Sequence, residues 1–293
     1  MNKVEAEIRR RVETFPAMPA LCKFLVAHLH DPYVDLQYLA QELRYDPGMT
    51  ANVLRIANSA VYGGLARVDS VQTAIARLGM KQLLELVVAV GISQVLKKRL
   101  LGYQLEPEEL LHHSVYVAVA SEEIAKTLGL QTSEMLFTAG LLHDVGKIVM
   151  DDFVRTESAR LDAKFRATKA GFDSVERDVL GICHAEVGGT LLKRWNFPEE
   201  LVAPVFWHHR PSAAGSWTHT AYIVHLADML AYSEGIGTGI DGLRYHISQE
   251  AISSLGLKSS TIEAVASHSL DRVRELSRML CGTQTVPERR SSP

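Results

Sequence analysis

Apolar residues in this chain recur at three- and four-residue steps in short stretches that end at a proline or a glycine, and no stretch alternates residue by residue as a half-buried strand does. Leu21, Leu25 and Leu29 repeat until Asp31-Pro32, and Leu36, Leu39, Ala40 and Leu43 follow Asp35 as a cap. Asp46-Pro47 repeats the device before Met49, Val53, Leu54 and Ala57. Asp69 or Ser70 caps the segment through Val71, Ala74, Ile75 and Leu78 to Gly79, and Leu83 to Leu96 is apolar on most sides. Such a chain can only pack helix on helix. The expected fold is all-α, a multi-helix bundle.

The pattern breaks between Gly102 and Pro107, which places an N-terminal helical subdomain at 1–105 and a second helical subdomain at 106–281. The second opens with a helix from Glu109 to Leu128 that sets His113, Val117, Ala120 and Ile124 on one core-facing stripe. A further helix starts at Ser133 and Glu134 and runs through Leu136, Ala139, Gly140 and Leu142 to His143-Asp144. His184 stands at the start of a later helix, Trp207-His208-His209 ends the next, and Trp217 to Tyr232 carries His219, His225 and Asp228. Gly235 to Gly239 follows a helix rather than a strand, so it reads as a plain flexible connection and not as a dinucleotide loop. Residues 282–293 read as a disordered tail.

With 293 residues, 47% of them hydrophobic, the chain can fill a substantial core. A formal net charge of -3 gives no general attraction to nucleic acid or to an anionic membrane, so a phosphate-bearing ligand would have to be held locally. Met1 to Phe15 is charged and lacks the apolar run of a signal peptide, and no uninterrupted apolar run reaches spanning length. Cys22, Cys183 and Cys281 lie far apart with no CxxC spacing, which indicates neither a disulfide framework nor a zinc knuckle. A soluble protein of the reducing cytoplasm is the expectation.

An imidazole nitrogen and a carboxylate oxygen are both ligands for a divalent ion, and His143-Asp144 sets the two side by side at the end of an apolar helix. Burying that aspartate without a compensating charge would cost on the order of several kcal/mol, which favours a metal over packing alone. His113, His184, His208, His209 and Asp228 fall in other helices or at helix ends. His225, one turn before Asp228, is placed to orient it, while His112 and His219 read as surface or supporting residues.

The order His113, His143-Asp144, Asp228 resembles the metal-binding pattern of the HD superfamily of phosphohydrolases, an all-helical fold. The first half is similar to the HDOD (HD-related output domain) proteins through Phe15-Pro16-Ala17-Met18-Pro19, Asp46-Pro47, Ala57-Asn58-Ser59-Ala60-Val61-Tyr62-Gly63 and Ala76-Arg77-Leu78-Gly79. The resemblance implies that His113, His143, Asp144 and Asp228 hold one ion. It also implies that Asp144 bridges to a second ion held by His184, His208 and His209, and that Lys147 lies near a substrate phosphate. Two ions sharing a carboxylate can lower the pKa of a hydroxide between them and stabilise charge on an attacked phosphorus. Imidazoles and carboxylates without thiolate suit iron, manganese or nickel rather than magnesium, with zinc also admissible.

Where HD-GYP cyclic-dinucleotide phosphodiesterases carry a glutamate and a Gly-Tyr-Pro element, this chain reads Arg210-Pro211-Ser212-Ala213-Ala214-Gly215-Ser216. HDOD proteins as a group are regulatory or signalling modules. The leading expectation is therefore a signalling protein with a metal centre and an unnamed protein partner. A phosphohydrolase acting on a nucleotide or cyclic dinucleotide, with Asp144 and Lys147 at the chemistry, is the alternative; a metal-free scaffold is the third reading.

Overall fold

The computed structural model describes residues 2–18, 47–59, 62, 68–130, 133–242 and 249–281. The helices expected between Ala20 and Leu43, part of the Ala57–Gly63 motif and the 282–293 tail lie outside the described residues. Among the described residues there is no strand, only an isolated antiparallel bridge between Leu100 and Leu105, and the architecture is all-α as expected.

Helix α1 spans Lys3–Thr14, α2 Pro47–Ala57 and α3 Val71–Leu96. Ser70 caps α3 by accepting the Thr73 amide at 3.1 Å. The break expected at Gly79 is present: with φ 74° and ψ 170° the residue is non-helical and kinks Val71–Leu96 into two helical stretches. Asn58 joins the end of α2 to the start of the α3 segment: its amide group donates to the Val68 carbonyl and accepts the Val68 amide, both at 2.7 Å.

The second half opens with α4, Glu109–Thr127, followed by α5 (Ser133–Leu142), α6 (Gly146–Thr156), α7 (Ser158–Ala167), α8 (Phe172–Leu180) and α9 (His184–Arg194). Then come α10 (Glu199–Trp207), two single 3₁₀ turns, α11 (Thr218–Ser233), α12 (Gln249–Leu255) and α13 (Ser259–Cys281). Helix α4 is the central post. It is buried on all sides from Leu110 to Ala125 but for a few positions, and α5, α11 and α13 pack around it. That all-round burial is why its sequence shows a broad apolar surface rather than a narrow stripe.

Two features set the site's geometry. Helix α6 starts against the start of α9 so closely that a Cβ on Gly146 would stand 2.0 Å from the His184 carbonyl oxygen. Only glycine permits that approach, and it brings His143-Asp144 up to His184. The turn at Leu100–Leu105, read from the sequence as a boundary, is fastened on both sides. The Gly102 amide donates to Asp151 Oδ1 at 2.7 Å, the Ile240 amide donates to the Tyr103 carbonyl at 3.0 Å, and the Tyr103 side chain is buried. No helix among the described residues is long and apolar enough to cross a membrane.

Candidate metal centre

The fold brings all seven sequence-selected ligands together. His113 comes from α4, His143 and Asp144 from the turn after α5, His184 from the first residue of α9, His208 and His209 from the end of α10, and Asp228 from α11. All are buried except His209, which is partly exposed and marks the side from which the cluster meets the surface.

Four of the histidines are fixed in the same sense. Nδ1 of His113, His143 and His208 donates to the carbonyls of Ile236, Gly140 and Val205, at 2.9, 2.7 and 2.7 Å. Nδ1 of His184 donates to Glu176 Oε2 at 2.6 Å. With Nδ1 committed as donor, each neutral ring keeps its Nε2 lone pair for the centre of the cluster. Nε2 of His143, Nε2 of His208 and Oδ2 of Asp228 make no hydrogen bond among the described residues although fully buried. Nε2 of His184 and Nε2 of His209 meet at 2.8 Å, a hydrogen-bond distance.

Asp144 lies between two groups of histidines. Its Oδ2 is 3.3 Å from His143 Nε2 and 3.6 Å from His113 Nε2, while its Oδ1 is 3.4 Å from His184 Nε2 and 4.0 Å from His208 Nε2. Asp228 Oδ1 completes the first group, 3.0 Å from His113 Nε2 and 3.6 Å from His143 Nε2. Donor atoms close enough to share an ion occur in the sets His113-His143-Asp228, His143-Asp144-His208 and His184-His208-His209.

Charge makes the same case. Four buried carboxylates of the cluster, Asp144, Asp228, Glu176 and Asp241, outnumber its one buried ammonium, Lys147, which pairs with Asp144 and Asp241. An excess of buried negative charge is costly unless cations offset it. In the metal-free protein the histidines do so unequally. Burial opposes protonation of His143, but the carboxylates of Asp144 and Asp228 prevail and push its pKa up to about 10. His208, dominated by burial and by the neighbouring His143, falls to about 3. Burial also drives His209 well below the usual imidazole range, whereas Glu176 and Asp144 raise His184 in spite of it. Asp144 and Asp228 are held well below the carboxylate range although burial acts the other way. The donor set fits divalent cations.

Lys147, expected near a substrate phosphate, is 1% exposed. Its ammonium lies 2.6 Å from Asp144 Oδ2, pairs with Asp241, and donates to the Tyr232 hydroxyl at 3.3 Å. Despite burial, the two aspartates hold its pKa above the usual lysine range. His225 is not seen to orient Asp228; its Nδ1 donates to the His208 carbonyl at 2.8 Å and so steadies the α10 end of the cluster.

Three supporting residues escaped the sequence reading. Glu176 receives both the ring and the backbone amide of His184 and, at 2.5 Å, the Tyr103 hydroxyl. Glu176 shares the buried face of α8 with Phe172, Val175, Val179 and Leu180, but its partners lie outside that helix. Asp241 and Tyr103 gave no signal in the sequence. The Gly235–Gly239 stretch, expected to be a plain flexible connection, instead packs on the cluster. A Cβ on Gly237, where φ is 63°, would meet His113 Cβ at 2.6 Å, and Ile236 in this stretch accepts the His113 proton.

The HDOD domain family model matches residues 15–211, and the chain belongs to that family. An HDOD domain protein of Geobacter sulfurreducens is 25% identical, with a TM-score of 0.77 over 94% of this chain and 97% of that one. A candidate phosphohydrolase of Shewanella amazonensis is also 25% identical, with a TM-score of 0.72 over 94% and 98%. In sequence, a protein of Treponema pallidum is 25% identical over 78% of this chain and 44% of its own length. Ribonuclease Y of Thermus thermophilus is 29% identical over 53% of this chain and 22% of its own. The chain thus spans less than half the length of these curated relatives.

Proposed function

We propose that this chain is a cytoplasmic HDOD signalling module that holds two divalent ions at the centre of its second half. His113, His143, Asp144 and Asp228 would hold one, and Asp144, His184, His208 and His209 the other. The observation that carries the proposal is the placement of Asp144, with one carboxylate oxygen turned to each histidine group. The donor chemistry favours iron, manganese or nickel over magnesium, and admits zinc. Bound there, the ions supply Lewis acidity toward a phosphate and activation of water.

The chain's own residues hold the centre rigid rather than open it. Glu176, itself fixed by Tyr103, orients His184, and the carbonyls of Gly140, Val205 and Ile236 fix the other rings. Lys147 neutralises part of Asp144 while tied to Asp241, a position that leaves it engaged within the protein. We read residues 1–105 as the part that engages a protein partner and 106–281 as the part that holds the metal. Elemental analysis of the purified chain is the direct test, with two metals per chain expected and nearly none in Asp144→Ala. Normal metal content in that variant would overturn the ligand assignment.

A second reading, metal-dependent hydrolysis of a nucleotide or phosphodiester, is favoured by two observations. His209 reaches the surface beside the buried ligands, and the related proteins include one named ribonuclease and one candidate phosphohydrolase. Incubation of the manganese- or iron-loaded chain with nucleotides, cyclic dinucleotides, short RNA and a generic phosphodiester separates the two. Turnover abolished by Asp144→Ala establishes hydrolysis, and absence of turnover on all of them with two metals bound leaves the signalling role.

A further inference from the structure

Away from the HD centre, the fold assembles a second set of metal-type donors that the sequence spacing conceals. Cys281 is the last residue of α13, and Glu108 and His112 lie four residues apart at the start of α4. His112 Nε2 is 3.4 Å from Cys281 Sγ, and a donor atom from each of the three residues lies within 4.8 Å of the others. All three side chains are partly buried, so the set is sheltered yet reachable.

The spacing is informative. A sulfur about 2.3 Å and a nitrogen about 2.0 Å from one tetrahedral ion stand roughly 3.5 Å apart, close to the separation found between Sγ and Nε2. Thiolate, imidazole and carboxylate together make a donor set for zinc, unlike the thiolate-free HD centre. The backbone is already in place. The Glu108 amide donates to the Lys97 carbonyl at 3.1 Å and the His112 amide to the Glu108 carbonyl at 2.9 Å. Arg55 of α2 donates to the Met279 carbonyl and so fixes the end of α13. A cavity of about 150 Å³ adjoins Cys281 and is also lined by Arg55 and Lys97.

We propose that Glu108, His112 and Cys281 form a separate zinc-type site that clamps the end of α13 to the start of α4, one residue from His113. On binding, the Cys281 thiol forms the metal–sulfur bond and its proton passes to solvent. The site offers a route by which free zinc acts on the HD centre, since α4 carries both.

Cobalt(II) is the probe, because a thiolate-to-cobalt charge-transfer band in the near ultraviolet reports cysteine coordination and the HD centre has no thiolate. The experiment uses the full chain after chelation. The wild type should develop the band, and so should Asp144→Ala, which tests this site apart from the HD assignment. Cys281→Ser should abolish it, Cys183→Ser should leave it unchanged, and His112→Gln should weaken cobalt affinity by roughly tenfold or more. Circular dichroism melts confirm that each variant is folded. No band in the folded wild type, or a band that survives Cys281→Ser, would overturn the proposal.

Discussion

Helix α4 passes through two ionic clusters, one buried and one partly exposed, and they are built on different plans. Near its C-terminal end, Glu122 and Glu123 meet Arg272 of α13 and Lys126 of their own helix, with Lys126 Nζ 2.6 Å from Glu122 and Arg272 3.3 Å from Glu123. The buried Glu85 also lies within electrostatic reach of Arg272, so two cations answer three carboxylates here. Near its N-terminal end, His113 enters a cluster in which four buried carboxylates outnumber one ammonium, which pairs with two of them, and five histidine rings converge. Burial alone therefore does not separate structure from function. The sense of the groups does: in one cluster cations meet carboxylates across helices, while in the other imidazole and carboxylate acceptors converge.

Asp144→Ala should break this contrast most severely. It removes the carboxylate shared by both histidine groups, so bound metal should fall to near zero by elemental analysis. In chelated protein it also removes one of the two carboxylates that hold the buried Lys147, leaving Asp241 as the other, and loss of that charge-assisted contact should cost about 3 kcal/mol in a denaturant melt. Arg272→Ala is the matched experiment on the other cluster. Glu122 is 3% exposed but keeps Lys126, so a loss of about 2 kcal/mol is expected, with metal content unchanged. Chelation should lower Tm equally in the wild type and Arg272→Ala and hardly at all in Asp144→Ala. A drop in metal content in Arg272→Ala would erase the distinction.

The sequence showed the two clusters unequally, for physical reasons. Helix spacing and punctuation announce an all-α fold because each helix must display its buried face locally, and histidines on such faces stand out against their apolar neighbours. His113 was legible in this way, as was the His143-Asp144 pair. Glu176 and Tyr103 were not, since their role depends on α8 and the 100–105 turn meeting 73 residues apart. The glycines of 235–239 were misread as freedom, when Gly237 is small because His113 occupies the space its side chain would need. Cys281 and His112 are 169 residues apart, and no local pattern joins them.

Glu176→Gln sharpens the comparison at the level of a single hydrogen bond. The amide keeps the shape of the carboxylate but not its charge, so His184 becomes a weaker, less firmly oriented ligand. Metal affinity should fall about 10- to 100-fold in a chelator competition, with the number of metals at saturation unchanged. Loss of one metal altogether would mean that Glu176 shapes the site rather than tuning it.

Acidity gives the next test. In metal-free protein the His143 pKa is raised to about 10 by Asp144 and Asp228 against the opposing effect of burial. Its stabilising contribution is therefore fully present below the unfolded value of about 6.5 and lost as pH rises through the folded value. Chelated protein should lose Tm between about pH 6.5 and 10. Metal-loaded protein should not, because coordination has already displaced that proton. For the same reason metal affinity should increase with pH over this range. A chelated protein with flat alkaline stability would show that His143 is neutral without metal.

The smallest effect is expected where the charges lie closest to solvent. Arg11 of α1 and Asp152 of α6 meet at 2.7 Å, shorter than any His–Asp approach in the HD centre, yet their side chains are 49% and 58% exposed. Water screens the pair, and holding two mobile side chains offsets most of its attraction, so Arg11→Ala should change stability by no more than about 0.5 kcal/mol. Added salt should reduce even that, since exposed charges are the ones that ions reach. A loss near that of Arg272→Ala would mean that separation rather than solvent access sets the strength of these contacts, and the ranking of all three ionic regions would have to be redrawn.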